Sequence, residues 1–168
     1  MPNVVLEVPL VWQQHGYDGQ LNMGRNYAGD IQPRGNNGCW YACVCMLSYY
    51  FRPGPRLGLP SVWRADVGIH YDQLDWLART EGLERLEQPE DGFTRDFIAE
   101  TLIARGPILA MLRRPLCSEI LAVGHMIVLT GLVEDMLHYN DPYYPAPRVI
   151  YFHNRLFYDL FVKNRDWL

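Results

Sequence analysis

The sequence predicts an α+β fold, with helices in the first two thirds and an antiparallel strand meander in the last third. Two observations carry that expectation. A run of thirteen residues without charge, Gly or Pro, CWYACVCMLSYYF, spans residues 39–51, too long for an ordinary strand and right for a buried helix. After Gly106-Pro107 the chain turns to short β-branched and apolar runs separated by turn formers. Helices segregated from a run of strands mark an α+β domain. The 168 residues, 49% hydrophobic and 20% charged, fit a single domain over 1–168 with a substantial core.

Residues 4–12 are apolar enough for an edge strand. Residues 13–38, rich in Gly and Asn and without periodicity, read as a long loop, and loops of that length are commonly functional. Asn36, Asn37 and Gly38 are good capping material for the helix at 39–51, and Arg52-Pro53-Gly54-Pro55 stops it. Residues 52–70 form a Pro- and Gly-rich connection. A second helix is expected over 72–81, with Asp72 as its cap and Leu74, Leu77 and Ala78 as its apolar stripe. A third runs over 94–104 with Phe97, Ile98, Thr101 and Leu102 on one side, and Gly106-Pro107 closes it. Strands follow at 108–112, 125–132, 136–140 and 148–152. Glu134-Asp135 supplies a hairpin turn. Residues 154–163 read as a short helix.

Composition excludes several functions. The net charge of −4 argues against a nucleic-acid partner, which calls for a basic surface. No apolar stretch reaches the ~18–20 residues of a membrane-spanning helix. The N-terminus lacks the basic start and apolar core of a secretion signal. The expectation is a chain that is cytoplasmic as made, with later delivery into a target cell by a signal-peptide-independent route open to it. Among the 15 basic residues only Lys163 is a lysine. A GC-rich genome is the preferred account of that bias; the sharper alternative is work in a host cell, where lysine is the ubiquitination target and arginine is not.

The four cysteines are Cys39, Cys43, Cys45 and Cys117. Three crowd into seven residues, unlike a disulfide framework. The C-x3-C-x-C spacing also fails the usual zinc pattern, and Cys45 leaves the helix face shared by Cys39 and Cys43. No metal or cofactor is expected. Cys39 stands at the first turn of a helix, where free N–H groups and the dipole favour an anion and hence a reactive thiolate. The competing reading is an inert buried thiol, and that reading is preferred for Cys43 and Cys45. His125 opens the most strand-like run, beside Gly124, and is placed to act as a general base. Asn140-Asp141-Pro142 ends the next strand, so the hairpin returns Asp141 or Asn140 toward His125, where a side-chain oxygen would fix the imidazole. Asp-Pro is equally a plain turn starter. His15, His70, His138 and His153 sit in loop or outward positions, Trp40 is expected to pack behind Cys39, and Tyr143-Tyr144 either shields the site or joins the core.

GNNGCWYACVCMLSYY, GHMIVLTGL and HYNDPYYP, in that order, resemble the papain-like cysteine proteases, and within them the bacterial C39-like and AvrRpt2-type effector branch. The likeness covers about residues 8–160. It implies a papain-like fold whose Cys-bearing buried helix packs on a C-terminal antiparallel sheet. It also implies amide or peptide hydrolysis through a thioester, with Cys39 as nucleophile, His125 as base then acid, and Asp141 as the orienting residue. The oxyanion would be held by the Cys39 N–H and by Gln32, which lies one residue further upstream than the family's spacing; Gln13 and Gln14 are the alternatives. The substrate would be a protein or peptide, with peptidoglycan cleavage by a toxin of the same fold, or a non-catalytic binding module, as the other readings. An immunity or inhibitor protein is implied if the chain is a toxin.

Overall fold

The computed structural model describes residues 2–12, 16–17, 39–52, 69, 71–113, 125–144 and 146–164. The long helix α1 is Cys39–Phe51, as the apolar run predicts. A 3-10 turn at Tyr71–Gln73 leads into α2, Leu74–Glu81. Asp72 lies in that turn and the cap position falls to Gln73, whose side chain makes no capping bond. Helix α3 is Arg95–Arg105, and Thr94 caps it by accepting from the Phe97 N–H at 3.2 Å. At its far end Gly106 has φ 89°, and a Cβ there would stand 2.7 Å from the Phe51 ring, so α1 and α3 end against each other.

The strands are β1 Val4–Val5, β2 Val11–Trp12, β3 Gly16–Tyr17, β4 Leu83–Arg85, β5 Ile108–Leu112, β6 Met126–Val133, β7 Met136–Asn140, β8 Arg148–Tyr151 and β9 Phe157–Lys163. Seven form one sheet in the order β4-β9-β5-β6-β7-β8, with β1 added to β6; β2 and β3 form a separate pair. The pairings are antiparallel. The expected strand over 4–12 is thus two short strands in different sheets, and part of the expected 13–38 loop, Gly16–Tyr17, is a strand.

The expected helix over 154–163 is a correction. Residues 157–163 are β9, which lies between β4 and β5. Strand β5 is buried at every position, so both its edges need backbone partners, because an unpaired buried N–H or C=O costs a lost hydrogen bond. β6 supplies one edge and β9 the other. That long-range demand outweighs local propensity in the FYDLFVK stretch.

Each face of the sheet has its own core. Leu109, Met111, Met126, Val128 and Phe161 pack against Trp40 through Leu47 of α1 and Leu74 and Leu77 of α2. Ile108, Ala110, Leu112, Ile127, Leu129, Leu160 and Val162 pack against Ile98, Ala99 and Leu102 of α3. The continuous apolar run at 126–129 follows from this: alternate residues serve opposite cores. A register shift between Leu129 and Gly131 lets Leu129 and Leu132 share one face. The two-residue turn Glu134-Asp135 closes β6 onto β7, with Glu134 at φ 53°. The Arg95 guanidinium donates to the Glu134 carbonyl, and the Glu134 N–H donates to Asn3 Oδ1 at 2.8 Å. The N-terminal segment is held along β6 by these contacts and by the Leu6 N–H donating to the Thr130 carbonyl at 2.8 Å.

Gly131 is where that segment comes closest: a Cβ would lie 2.5 Å from the Val4 carbonyl oxygen. Gly131→Ala is expected to lower stability by about 1–3 kcal/mol, the usual cost of overpacking, read by urea denaturation. An unchanged midpoint would mean that β1 does not lie against β6.

Candidate active site

Cys39 is the first residue of α1, so its own N–H belongs to the group of helix-start donors without intrahelical acceptors. It is 8% exposed, against 0% for Cys43 and 1% for Cys45. All three residues are buried, Cys39 the least so, and all three are free. Trp40 is fully buried behind it, edge-on to Tyr41 at 5.9 Å between centroids.

His125 immediately precedes β6. Its carbonyl accepts from the Leu112 N–H at 2.9 Å, which ties it to the end of β5. The β6–β7 register sets Val128 opposite Asn140, so the residue after β7 arrives at the start of β6. There His125 Nε2 lies 2.7 Å from Asp141 Oδ1, and both side chains are nearly inaccessible. The hairpin expectation left Asn140 and Asp141 open; the structure puts Asp141 on the imidazole and turns Asn140 away, its Nδ2 donating to the Val8 carbonyl at 3.2 Å. Asp141 also starts a turn. Its Oδ1 accepts from the Tyr143 N–H at 3.0 Å and its carbonyl from the Tyr144 N–H at 3.0 Å, the arrangement of an Asx turn.

The Cys39 thiol stands close enough to the His125 ring to act on its pKa as a hydrogen-bonding partner. With Nε2 taken by Asp141, Nδ1 is the nitrogen left for it. The ring therefore stands between an anion and a thiol. Burial pulls its pKa down, but the bonds to Asp141 and Cys39 and their charges outweigh this and raise it from 6.5 to about 10. Cys43, one helical turn below Cys39, behaves oppositely to a nucleophile. Burial pushes its thiol well above the ordinary range, and the nearby Cys39, Asp141 and Cys45 push the same way.

The other expected positions fall out as follows. Gln32, Gln13, Gln14, His15, His70, Gly124 and Cys117 lie outside the described residues. His138 is half-buried on β7, and His153 Nδ1 accepts from the Arg155 N–H at 3.1 Å in a turn. Among the described residues no set of His, Cys, Asp and Glu converges as a metal site. Tyr143 is 37% exposed, so the Tyr143-Tyr144 pair is not core. The sequence gives no sign of Arg148, which stacks on Tyr144 at 3.9 Å from the ring centroid and bonds Tyr139, bracing the turn after Asp141 from β8.

The ring's charge fixes the sign of a pH test. Its folded pKa of about 10 lies above the ordinary 6.5, so its contribution to stability is full below about pH 6.5 and fades as the pH rises through about 10. Asp141→Asn removes the counter-charge and is expected to cost about 3–5 kcal/mol below pH 6.5, the usual cost of breaking a buried pair, and progressively less in alkali. Denaturation across pH and ring titration by NMR check this. A His125 titration that does not move in Asp141→Asn would contradict it.

A family model described as papain-like cysteine protease AvrRpt2 matches residues 21–150. The matched span contains α1 with Cys39, His125, the whole of β7 and Asp141 just after it. Among the described residues, three helices on an antiparallel sheet, with the Cys39 helix buried, are consistent with the papain-like fold. The chain belongs to the AvrRpt2 family of papain-like cysteine proteases and is a cysteine peptidase, a hydrolase of protein substrates.

Proposed function

We propose that the chain cleaves peptide bonds through Cys39, His125 and Asp141, as one peptidase domain over 1–168. The observation that carries this reading is the His125 ring, bonded to the Asp141 carboxylate and electrostatically coupled to Cys39, the least buried of the three helix cysteines. In the first step the Cys39 proton passes to His125 Nδ1 and the sulfur attacks the scissile carbonyl carbon. A C–S bond forms and the carbonyl electron pair moves to oxygen. Asp141 holds the imidazolium in place through Nε2 and does not itself take the proton. As the tetrahedral intermediate collapses, the C–N bond breaks and Nδ1 protonates the leaving amine. Water then gives a proton to Nδ1 and attacks the thioester, and the C–S bond breaks to restore the cysteine. The developing oxyanion is met by the Cys39 N–H and by Gln32, with Gln13 and Gln14 as the alternative donors.

We further infer a bacterial effector or toxin role, with action inside a target cell. The near-absence of lysine, one in 168 residues, is what a protein exposed to a ubiquitinating host would show. No helix among the described residues is long and apolar enough to cross a membrane.

Cys39→Ala and His125→Ala are each expected to lower the rate on a protein substrate by at least roughly 10³-fold with unaltered circular dichroism. Full activity in Cys39→Ala overturns the assignment. Gln32→Ala is expected to cost about 10²–10³ in kcat, and a loss that appears only in Gln13→Ala or Gln14→Ala moves the donor there. Expression of wild type and Cys39→Ala in the cytoplasm and the periplasm of a bacterium separates substrates. Toxicity confined to the periplasm would reassign the target to cell-wall peptides.

A further inference from the structure

Strand β8 is the last in the sheet order, paired to β7 from Tyr139↔Arg148 to Met136↔Tyr151 with no break in register. Among the described residues no strand pairs with its other edge. Half the N–H and C=O groups of such a strand point away from its partner and can template another extended chain. Edges are normally guarded by charged side chains, Pro or a bulge; in Arg148-Val149-Ile150-Tyr151 the one charge, Arg148, is laid over the Tyr144 ring, and no Pro or bulge interrupts the strand.

The side chains add selectivity. Ile150 packs with the α3-side core, so Val149 and Tyr151 stand on the opposite face, where they are 53% and 74% exposed. On that face a cavity of about 280 Å³ opens beside Val149, lined by Val5, Val8, Thr130, His138 and Asn140 among others. Asn140 adjoins Asp141, and Arg148 stacks on Tyr144 of the turn that Asp141 starts. The edge and the cavity therefore begin where the proposed site ends.

We propose that β8 is a docking edge for an extended segment of the protein substrate, which adds as a further strand and sets an aliphatic or aromatic side chain into the cavity. This rests on the proteolytic reading of Cys39, His125 and Asp141. The occupant is a substrate segment because the edge is continuous with the site. Four residues also bury far less than the ~1,000 Å² a stable protein pair needs. A substrate already seated at Cys39 gains from even a weak second contact, since tethering raises its effective concentration.

The test compares labelled, reduced and alkylated casein with a hexapeptide that spans a cut site mapped in that casein. In Val149→Glu/Tyr151→Glu the ratio of kcat/KM on casein to kcat/KM on the hexapeptide is expected to fall about tenfold, the effect of losing one strong interface contact. A ratio within twofold of wild type overturns the proposal. A second measurement needs no turnover: hydrogen exchange at the amides of 148–151 in Cys39→Ala with excess casein is expected to slow, and unaltered exchange overturns the proposal. Concentration-dependent dimerisation of wild type that the double variant abolishes would also overturn it, giving the edge to a second copy. A wild type that cuts neither probe defeats the proteolytic reading, while the exchange experiment still decides what β8 binds.

Discussion

The bond between His125 and Asp141 is the constraint on which the rest of the site end is built. Two ionisable side chains with 3% and 1% side-chain exposure would be costly to bury apart, because a lone buried charge costs several kcal/mol. At 2.7 Å they offset much of that cost only if β6 and β7 hold one register. A slip of a single residue would turn Asp141 from the ring. The two-residue turn at Glu134-Asp135, the Arg95 and Asn3 contacts on it, and the Asn140–Val8 link all oppose such a slip. The N-terminal segment and α3 thus serve a geometry set some distance from them.

The three clustered cysteines show how position on one helix separates similar groups. Cys39 has the open helix start and the imidazole beside it. Cys43 is fully buried, and burial holds its proton on. A thiol that stays neutral beneath the proposed nucleophile adds no competing charge to the ion pair above it.

What could be read from the residues alone follows from where the signals are local. The α1 boundaries were legible because a charge-free run ends at Arg52-Pro53, and Thr94 and Gly106 frame α3 by their own backbone chemistry. Strand β7 matched its expected bounds because short turns punctuate it. The pairing of Asp141 with His125 was legible as a hairpin consequence, although Asn140 was an equal candidate until the register of β7 was known. β9 was not legible, because nothing in residues 154–163 announces that β5, some fifty positions earlier, lacks a partner. β4 was missed for the same reason: three residues carry no period. The bracing of the Asp141 turn by Arg148 depends on tertiary contact alone.

That late arrival of β9 bears on how the chain is made. During vectorial synthesis β5, β6, β7 and β8 emerge before β9, and the slot between β4 and β5 stays vacant until then. A nascent chain in that state bares an apolar strand, Ile108–Leu112, with one row of backbone groups unsatisfied. Completion of the central sheet, and with it the rigid seating of the site end, is in this way deferred until residues 157–163 have emerged from the ribosome.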